Sequence, residues 1–322
     1  MRKGIRILMV AVLMIGFSFA SYAQGLQVDF SIGAGRLSGD TTYQIGGDIT
    51  MADGESGEVH FPISELEFPL NVYMACADFK LVFSDRFEFT AGVKKNITED
   101  AGKMKDSDWG YYYLMELEGA EVDTLDVYSE SDAELDALIL EAKMRYRLVV
   151  KPAWSIAVGL GYIRENFDYD VKNIDQWYPS DSYYGLDLGH DYISGLGLTY
   201  EITYDIPYVE LAADATFKNF NMLLSLGYSP YVQAEDDDGH LLRRDPGPIF
   251  AEGDCDGNAY LASLQGKYNF LKHFFLMLDL SYMKINTEGE QDNFVDGQWV
   301  WTTDEEIESE QIYVGLSLGY SF

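Results

Sequence analysis

Basic residues are scarce in this 322-residue chain. Lysine and arginine together number 22, against 54 aspartates and glutamates, which gives a formal net charge of −32 at pH 7. A surface this acidic repels phosphate backbones, so the charge excludes nucleic acid as a partner. It favours cationic peptides or divalent cations instead, although solvated acidic loops would give the same net charge.

Cysteines and long apolar runs are also few. The two cysteines are Cys76, on the apolar face of a predicted strand, and Cys255, in a predicted loop, so we expect no disulfide between them. One apolar run, residues 7–17, follows three basic residues and precedes the small-x-small sequence of residues 21–23. This layout predicts a signal peptide over residues 1–23, and no later segment resembles a transmembrane helix.

What the sequence does contain is aromatic residues and a two-residue period. Aromatic residues make up 15% of the chain, yet the mean hydropathy is only −0.13. Over residues 138–148 the even positions are apolar or aromatic, while the odd positions include Glu141, Lys143, Arg145 and Arg147. Apolar side chains opposite a row of charges are typical of a strand between lipid and a wet lumen. The same alternation recurs through most of the chain.

The pattern predicts an all-β fold, a ten-stranded antiparallel transmembrane β-barrel of the outer-membrane type, over residues 24–322. The short predicted turns lie at 84–85, 151–152, 218–219 and 269–272. Between them we predict long acidic loops near 47–62, 98–136, 169–190, 236–256 and 287–308, on the extracellular side. The predicted strands lie near 26–46, 63–82, 86–97, 137–150, 153–168, 191–217, 220–235, 257–268, 273–286 and 309–322.

Two details refine this prediction. In the strand over 191–217 the apolar positions change parity after Pro207, which we interpret as a bulge. The last strand alternates regularly and ends in Phe322. Such an ending resembles the recognition signal for the bacterial barrel-assembly machinery, which we therefore expect as a partner.

Two acidic clusters carry the candidate chemistry. The first contains Asp106 and Asp108, and the second contains Asp236, Asp238 and His240. On the strand map the clusters lie in external loops on opposite sides of the barrel mouth. Four carboxylates and an imidazole would converge there, an arrangement that can activate water. The alternative is that both clusters are solvated loops without a function of their own.

The sequence resembles the omptin family of outer-membrane proteases over nearly the whole mature chain. Five matches carry the resemblance: Leu37-Ser38-Gly39 with Thr41, Asp106-x-Asp108-Trp109, Ile206-Pro207-Tyr208, Asp238-x-His240 and Asp245-Pro246-Gly247.

The resemblance implies an endopeptidase in which His240, oriented by Asp238, is the general base. Asp106 would help to hold the attacking water, and Asp108 would assist it or stabilise the tetrahedral oxyanion. It implies substrate-binding roles for Asp236 and Met104, direct attack by water, and neither a cofactor nor a metal. The active site would face the extracellular side, and the substrates would be cationic peptides or proteins.

The chain also departs from the family. The family's substrate pocket has a second acidic group in the first strand, and that position falls at Tyr43, with Asp40 nearby. The family's lipopolysaccharide-binding positions fall at Asn166, Thr203 and Cys255, and only Tyr162 is kept. The resemblance therefore supports outer-membrane lipid as a partner but does not support dependence on lipopolysaccharide.

The same features suggest three other functions. Residues 252–257 imitate the start of an EF-hand calcium loop, but position twelve is Ser263 and the segment leads into a strand. A ten-stranded barrel with Arg145 and its charged neighbours in the lumen is too narrow and too full for an open porin. A non-catalytic barrel of omptin-like shape, an adhesin or a structural protein, stays as the alternative to the protease.

Overall fold

A computed structural model describes residues 26–115, 117–242 and 247–322. The predicted signal peptide, residues 1–23, lies outside the described residues, as does the Asp245-Pro246 pair of the omptin-like motifs. Among the residues that the structure describes, no helix is long and apolar enough to cross a membrane.

Within the described residues the fold is all-β apart from two four-residue helices, α1 (Tyr111–Leu114) and α2 (Asp181–Tyr184). The strands are β1 (Leu26–Met51), β2 (Ser56–Pro69), β3 (Val72–Phe83), β4 (Phe87–Asn96), β5 (Asp100–Trp109), β6 (Leu125–Val150), β7 (Trp154–Trp177), β8 (His190–Phe217), β9 (Phe220–His240), β10 (Ile249–Asn269), β11 (Phe274–Val295) and β12 (Gln298–Ser321).

All twelve strands belong to one antiparallel sheet, and β12 pairs with β1, so the sheet closes on itself. The ring has ten positions because two of them each hold two strands. At one end of the barrel the strand order from β1 to β6 is β1–β3–β4–β6. At the other end it is β1–β2–β5–β6. The prediction of ten strands was therefore right for the ring and wrong for the strand count.

The strands are longer than predicted. β5, the first half of β6, the end of β9 and the start of β12 all occupy segments predicted as loops. Short connections do occur near 84–86, 151–153, 218–219 and 270–273, as expected. At the other end, the predicted long loops shrink to connections such as 110–124 and 178–189. The candidate site residues are therefore held by paired strands.

The polarity of the outward face reverses along each long strand, and β12 shows this most clearly. Its outward side chains are first charged and then aliphatic, while pairing with β1 continues without a shift from Gly46 to Asp29. A strand that leaves lipid and enters water must exchange its outward residues in this way. In order, the outward residues are Asp304, Glu306, Glu308, Glu310, Ile312, Val314, Leu316 and Leu318.

The same reversal corrects the prediction of a bulge at Pro207. In β8 the even positions from Leu198 to Tyr208 face inward and are buried, and Glu210 continues on that face. The apolar residues change faces because the surroundings change. The register shift lies on β9, where the extra residue falls between Ser229 and Val232.

The two halves of the barrel interior differ accordingly. The half next to the site has an aromatic core that includes Phe68, Tyr169, Tyr200 and Tyr204. The other half is crossed by ion pairs. There Arg145 of β6 contacts Glu88 of β4 at 3.1 Å and donates to Glu210 of β8 at 3.0 Å.

Both cysteines are buried and neither forms a disulfide, as expected. Cys76 faces the interior, where its sulfur lies 3.5 Å from the hydroxyl of Ser317. The predicted position of Cys255 was wrong, however. Cys255 is buried within β10, between β9 and β11, and so does not lie in a loop.

Candidate active site

The end of β9 supplies three of the predicted site residues. Asp236, Asp238 and His240 alternate with Asp237 and Gly239, so all three point into the barrel, as period-two geometry requires. β9 is paired on both sides here, with β8 at Leu198 and with β10 at Ile249. These side chains are therefore fixed by a sheet.

His240 and Asp238 form a close pair. Nε2 of His240 lies 2.9 Å from Oδ2 of Asp238, and the two side chains are 23% and 1% exposed. A carboxylate only accepts hydrogen bonds, so this contact places a proton on Nε2 and leaves Nδ1 as the basic nitrogen of the neutral ring. The buried acid thus fixes the tautomer of a partly exposed imidazole.

Two residues that sequence reasoning did not assign hold Asp238 in place. Nε2 of Gln291 donates to the hydroxyl of Tyr43 at 2.8 Å, and that hydroxyl donates to Oδ2 of Asp238 at 3.4 Å. Burial, and next the charge of Asp238, raise the pKa of Tyr43 well above its ordinary value, so Tyr43 keeps its proton and remains a donor. Tyr43 thus supports Asp238 at the position where a pocket acid was expected.

β5 carries the second predicted cluster. Its even positions face inward, because Met104 is buried in the core and the outward Lys103 pairs with Asp132 at 2.7 Å. Asp106 and Asp108 follow Met104 on the inward face. Both are partly buried, and both make polar or electrostatic contacts. Met104, predicted to bind substrate, is part of the apolar core.

A buried acid pair lies one step deeper than the His240–Asp238 pair. Asp236 is 4% exposed and Glu305, on β12, is 1% exposed. A Cβ added at Gly253 would lie 2.0 Å from Oδ1 of Asp236 and 2.2 Å from Oε2 of Glu305, so both carboxylates lie over this glycine. Burial raises the pKa of Asp236 well above its ordinary value and that of Glu305 to about 8.

Glu305 was missed because residues 287–308 were predicted as a loop. The alternation of β12 continues upward through Ile307, Glu305 and Thr303, all of them inward and buried. Had the period been followed past residue 309, it would have placed an acidic side chain inside the barrel. That is the signal that could have identified it.

The outer wall holds some of the other predicted positions. Tyr162, Arg164 and Asn166 share the outward face of β7, and the guanidinium of Arg164 donates to both oxygens of Asp205, at 3.1 and 3.2 Å. Nδ2 of Asn166 donates to the hydroxyl of Thr203 at 3.1 Å. Cys255, assigned to this wall by resemblance, lies inside the barrel, so that assignment was wrong.

The calcium-like segment, residues 252–257, lies within β10 and is extended. It pairs with β9 and β11 over its whole length. An EF-hand needs a loop that wraps its oxygens around the ion, and a doubly paired strand does not provide one.

Comparison with known proteins supplies the family. The profile of the omptin family matches residues 27–322. The crystal structure of the outer membrane protease OmpT from Escherichia coli superposes with a TM-score of 0.78 at 17% identity, and covers 94% of this chain and 100% of that chain. The outer membrane protein OprG from Pseudomonas aeruginosa gives a TM-score of 0.38 at 12% identity, covering 93% and 97%. Among curated proteins, none matches the chain.

Proposed function

The chain belongs to the omptin family, and from that premise we propose that it is an endopeptidase of the outer membrane that cleaves cationic peptides or proteins. The observation that carries the proposal is the pair of His240 and Asp238 on the inward face of β9, at the end of the strand. Nε2 of His240 and Oδ2 of Asp238 are 2.9 Å apart. A partly exposed imidazole held by a buried carboxylate is the arrangement that general base catalysis needs.

His240 acts on a water molecule. Nδ1 takes a proton from the water while its oxygen attacks the peptide carbonyl carbon, and Asp238 stabilises the resulting imidazolium. The same proton then passes to the leaving amine as the tetrahedral intermediate collapses, which frees the acid and amine products. The reaction forms no acyl-enzyme and requires no cofactor or metal.

Asp106 and Asp108 act from β5, four positions from β9 around the ring of ten. Asp106 helps to hold the attacking water, and Asp108 shares a proton with it or stabilises the developing oxyanion. Their common face on β5 with Met104 supports these roles.

The charge distribution supports cationic substrates. Outward side chains near the site are mostly acidic, as in the run Asp304, Glu306, Glu308 and Glu310 on β12. Such a field raises the local concentration of basic peptides and speeds their encounter with the protein. Asp236 lies on the face of β9 that also carries Asp238, where it can meet a basic side chain next to the cleaved bond.

The family and the apolar band on the part of the barrel away from the site support a location in the outer membrane. The band faces membrane lipid, and the site lies beyond it on the extracellular side. Residues 1–23 direct export, and the last strand, ending in Phe322, is read by the barrel-assembly machinery. On the outer wall Arg164 is paired with Asp205, which does not support dependence on lipopolysaccharide.

The test is the cleavage of a panel of basic peptides by the refolded barrel and by His240→Ala and Asp106→Asn. Each variant should lose about a hundredfold to ten-thousandfold in kcat, the usual contribution of a general base or acid. His190→Ala is a matched control, because His190 also contacts an aspartate, Asp175, but its side chain is 50% exposed. It should keep full activity.

Equal activity of the wild type and both site variants would refute the assigned roles. A wild-type barrel that cleaves no member of the panel would instead favour the non-catalytic alternative, an adhesin or a structural protein. Circular dichroism of each refolded variant shows that a loss of activity is not a loss of the barrel.

A further inference from the structure

The side chain of Asp236 is buried without the partners that a buried carboxylate needs. Neither of its oxygens has a hydrogen-bond donor among the described residues, apart from a proton that it can share with Glu305. Neither Asp236 nor Glu305 forms an ion pair with a lysine or arginine within residues 26–115, 117–242 and 247–322. A buried acid of this kind is costly unless a cation or a proton compensates its charge.

Glu305 reaches Asp236 from the far side of β10 and β11. Its Oε1 accepts from Nε2 of Gln291 at 3.3 Å, and its Oε2 accepts from the thiol of Cys255 at 3.4 Å. Both donors are neutral, so they orient the carboxyl group without cancelling its charge. The side chain is thus aimed at Asp236 by contacts with two further strands.

Gly253 makes room for this approach. A side chain at that position would overlap both carboxyl groups, since an added Cβ would lie 2.0 and 2.2 Å from their oxygens. The glycine is in an extended strand and has no left-handed backbone conformation that would require it. The absence of a side chain at Gly253 therefore leaves the space over β10 in which the two carboxyl groups meet.

We propose that Glu305 and Asp236 together bind the cationic side chain of the substrate residue next to the cleaved bond. Glu305 thus supplies, from the last strand, the second acid that the first strand lacks, where Tyr43 supports Asp238 instead. The inference rests on the proposed function and adds to it a residue that determines specificity.

The hydrogen-bonding capacity of the two acids suits such a ligand. A lysine ammonium has three N–H donors and an arginine guanidinium has five, so a single buried carboxylate leaves donors without acceptors. Asp236 and Glu305 accept from the cation together once it replaces the proton that they share. Tyr43 and Tyr200, stacked with ring centroids 5.7 Å apart, pack beside the same region.

The cleavage test compares the wild type with Glu305→Gln on matched peptides that carry arginine, lysine or the neutral glutamine next to the cleaved bond. The variant keeps the shape of the side chain and removes its charge. We expect kcat/KM for the two basic peptides to fall about tenfold or more, the scale of one charge-assisted hydrogen bond, with the glutamine peptide unchanged. Glu306→Gln, on the outward face of the same strand, is the matched control: it also removes one negative charge, but not from the acid pair, so it should change the three values far less.

Unchanged cleavage of the basic peptides by Glu305→Gln would overturn the proposal, as would an equal fall for the glutamine peptide. Glu305→Asp, which restores the charge, should recover part of the loss, and a folded but inactive Glu305→Asp barrel would also count against it. Circular dichroism reports whether each variant is folded.

Direct binding separates this inference from the proposed function. Agmatine, a small guanidinium compound, should raise the thermal unfolding midpoint of the wild-type barrel but not that of Glu305→Gln or Asp236→Asn. If the wild type cleaves no peptide yet binds agmatine in this way, the protease proposal fails and the cation site stands. If agmatine affects the wild type and both variants equally, the cation site fails, whatever the cleavage assay gives.

Discussion

The hydroxyl of Tyr43, on the first strand, donates a hydrogen bond to Oδ2 of Asp238, on the ninth, and Asp238 in turn holds His240. The contact crosses the barrel interior, because three strands of the ring lie between β1 and β9. Gln291, on β11, orients the same hydroxyl. Two other strands, β1 and β11, thus support the candidate base, and they do so through Asp238.

Tyr43→Phe should lower kcat and leave KM nearly unchanged, because it removes the support of Asp238 without altering the acid pair. Loss of a hydrogen bond to a charged group costs about 1.5–3 kcal/mol, which corresponds to about a tenfold to hundredfold fall in kcat. A positioning role also predicts a shifted pH profile of kcat, which purely structural damage would not produce. Tyr169→Phe is the control, since its buried hydroxyl donates to the backbone carbonyl of Pro69 at 3.2 Å. Equal effects of the two variants would contradict the role.

Gly253→Ala should fold and lose activity on basic peptides, because the new methyl group displaces the carboxyl groups of Asp236 and Glu305. We expect a fall of about tenfold or more in kcat/KM, similar to that of removing one acid. Gly57→Ala is the control, because a Cβ at Gly57 would meet only a side-chain atom of Ile49 at an ordinary 3.8 Å. Normal cleavage of basic peptides by Gly253→Ala would show that the close approach of the acids is not needed.

The stability of the barrel should fall as the pH rises. Burial raises the pKa of Glu305 from 4.5 to about 8, and it raises the pKa of Asp236 too. A carboxyl group whose pKa rises on folding stabilises the folded state fully below its unfolded value, and this contribution is lost as the pH passes through the folded value. For Glu305 the loss lies between 4.5 and about 8.

The measurement is the thermal unfolding midpoint in detergent across this pH range. Asp238, Cys255 and Tyr43 face the same cluster, so the wild-type curve reports all of them together. Glu305→Gln should flatten the curve, while Glu306→Gln should leave most of the slope in place, because Glu306 is exposed and its pKa is raised by weaker burial and by the neighbouring Glu288. A slope that Glu305→Gln leaves unchanged would assign the pH dependence to other groups.

Leu316→Lys should destabilise the barrel in lipid vesicles, because Leu316 lies on the apolar part of the outward face of β12. A lysine at the bilayer midplane costs about 2–4 kcal/mol, and less towards the interface. Glu308→Lys, on the charged part of the same face, should change stability little. Denaturant unfolding in vesicles measures both, and similar losses for the two variants would contradict the position of the lipid boundary.

The sequence predicted the part of the barrel that faces lipid, because apolar and polar residues alternate regularly there and the apolar ones stay on the outward face. The closing strand shows it: the apolar residues from Ile312 to Leu318 were assigned to the correct face. On the N-terminal side of Ile312 the outward residues become acidic, and that segment was predicted as a loop although the two-residue period continues. In β8 the apolar residues move to the inner face above Tyr208, which was interpreted as a bulge at Pro207.

The site was predicted where it is local in sequence. Asp238 and His240 are two residues apart on one strand, so their contact follows once the strand is known. Glu305 and Tyr43 contact the β9 acids from β12 and β1, and such contacts depend on the curvature of the closed sheet. No spacing along the chain encodes them.

Pairing of the first strand with the last has a consequence for when the site exists. Tyr43 and Glu305 lie on β1 and β12, and they come to Asp238 and Asp236 only when those two strands join. Because β12 follows the other eleven described strands along the chain, that step requires all of them to be present. A precursor in transit, or a chain cut short before its final strand, carries the aspartates and the histidine but lacks their assembled surroundings. The molecule therefore gains its site at the moment its assembly is finished.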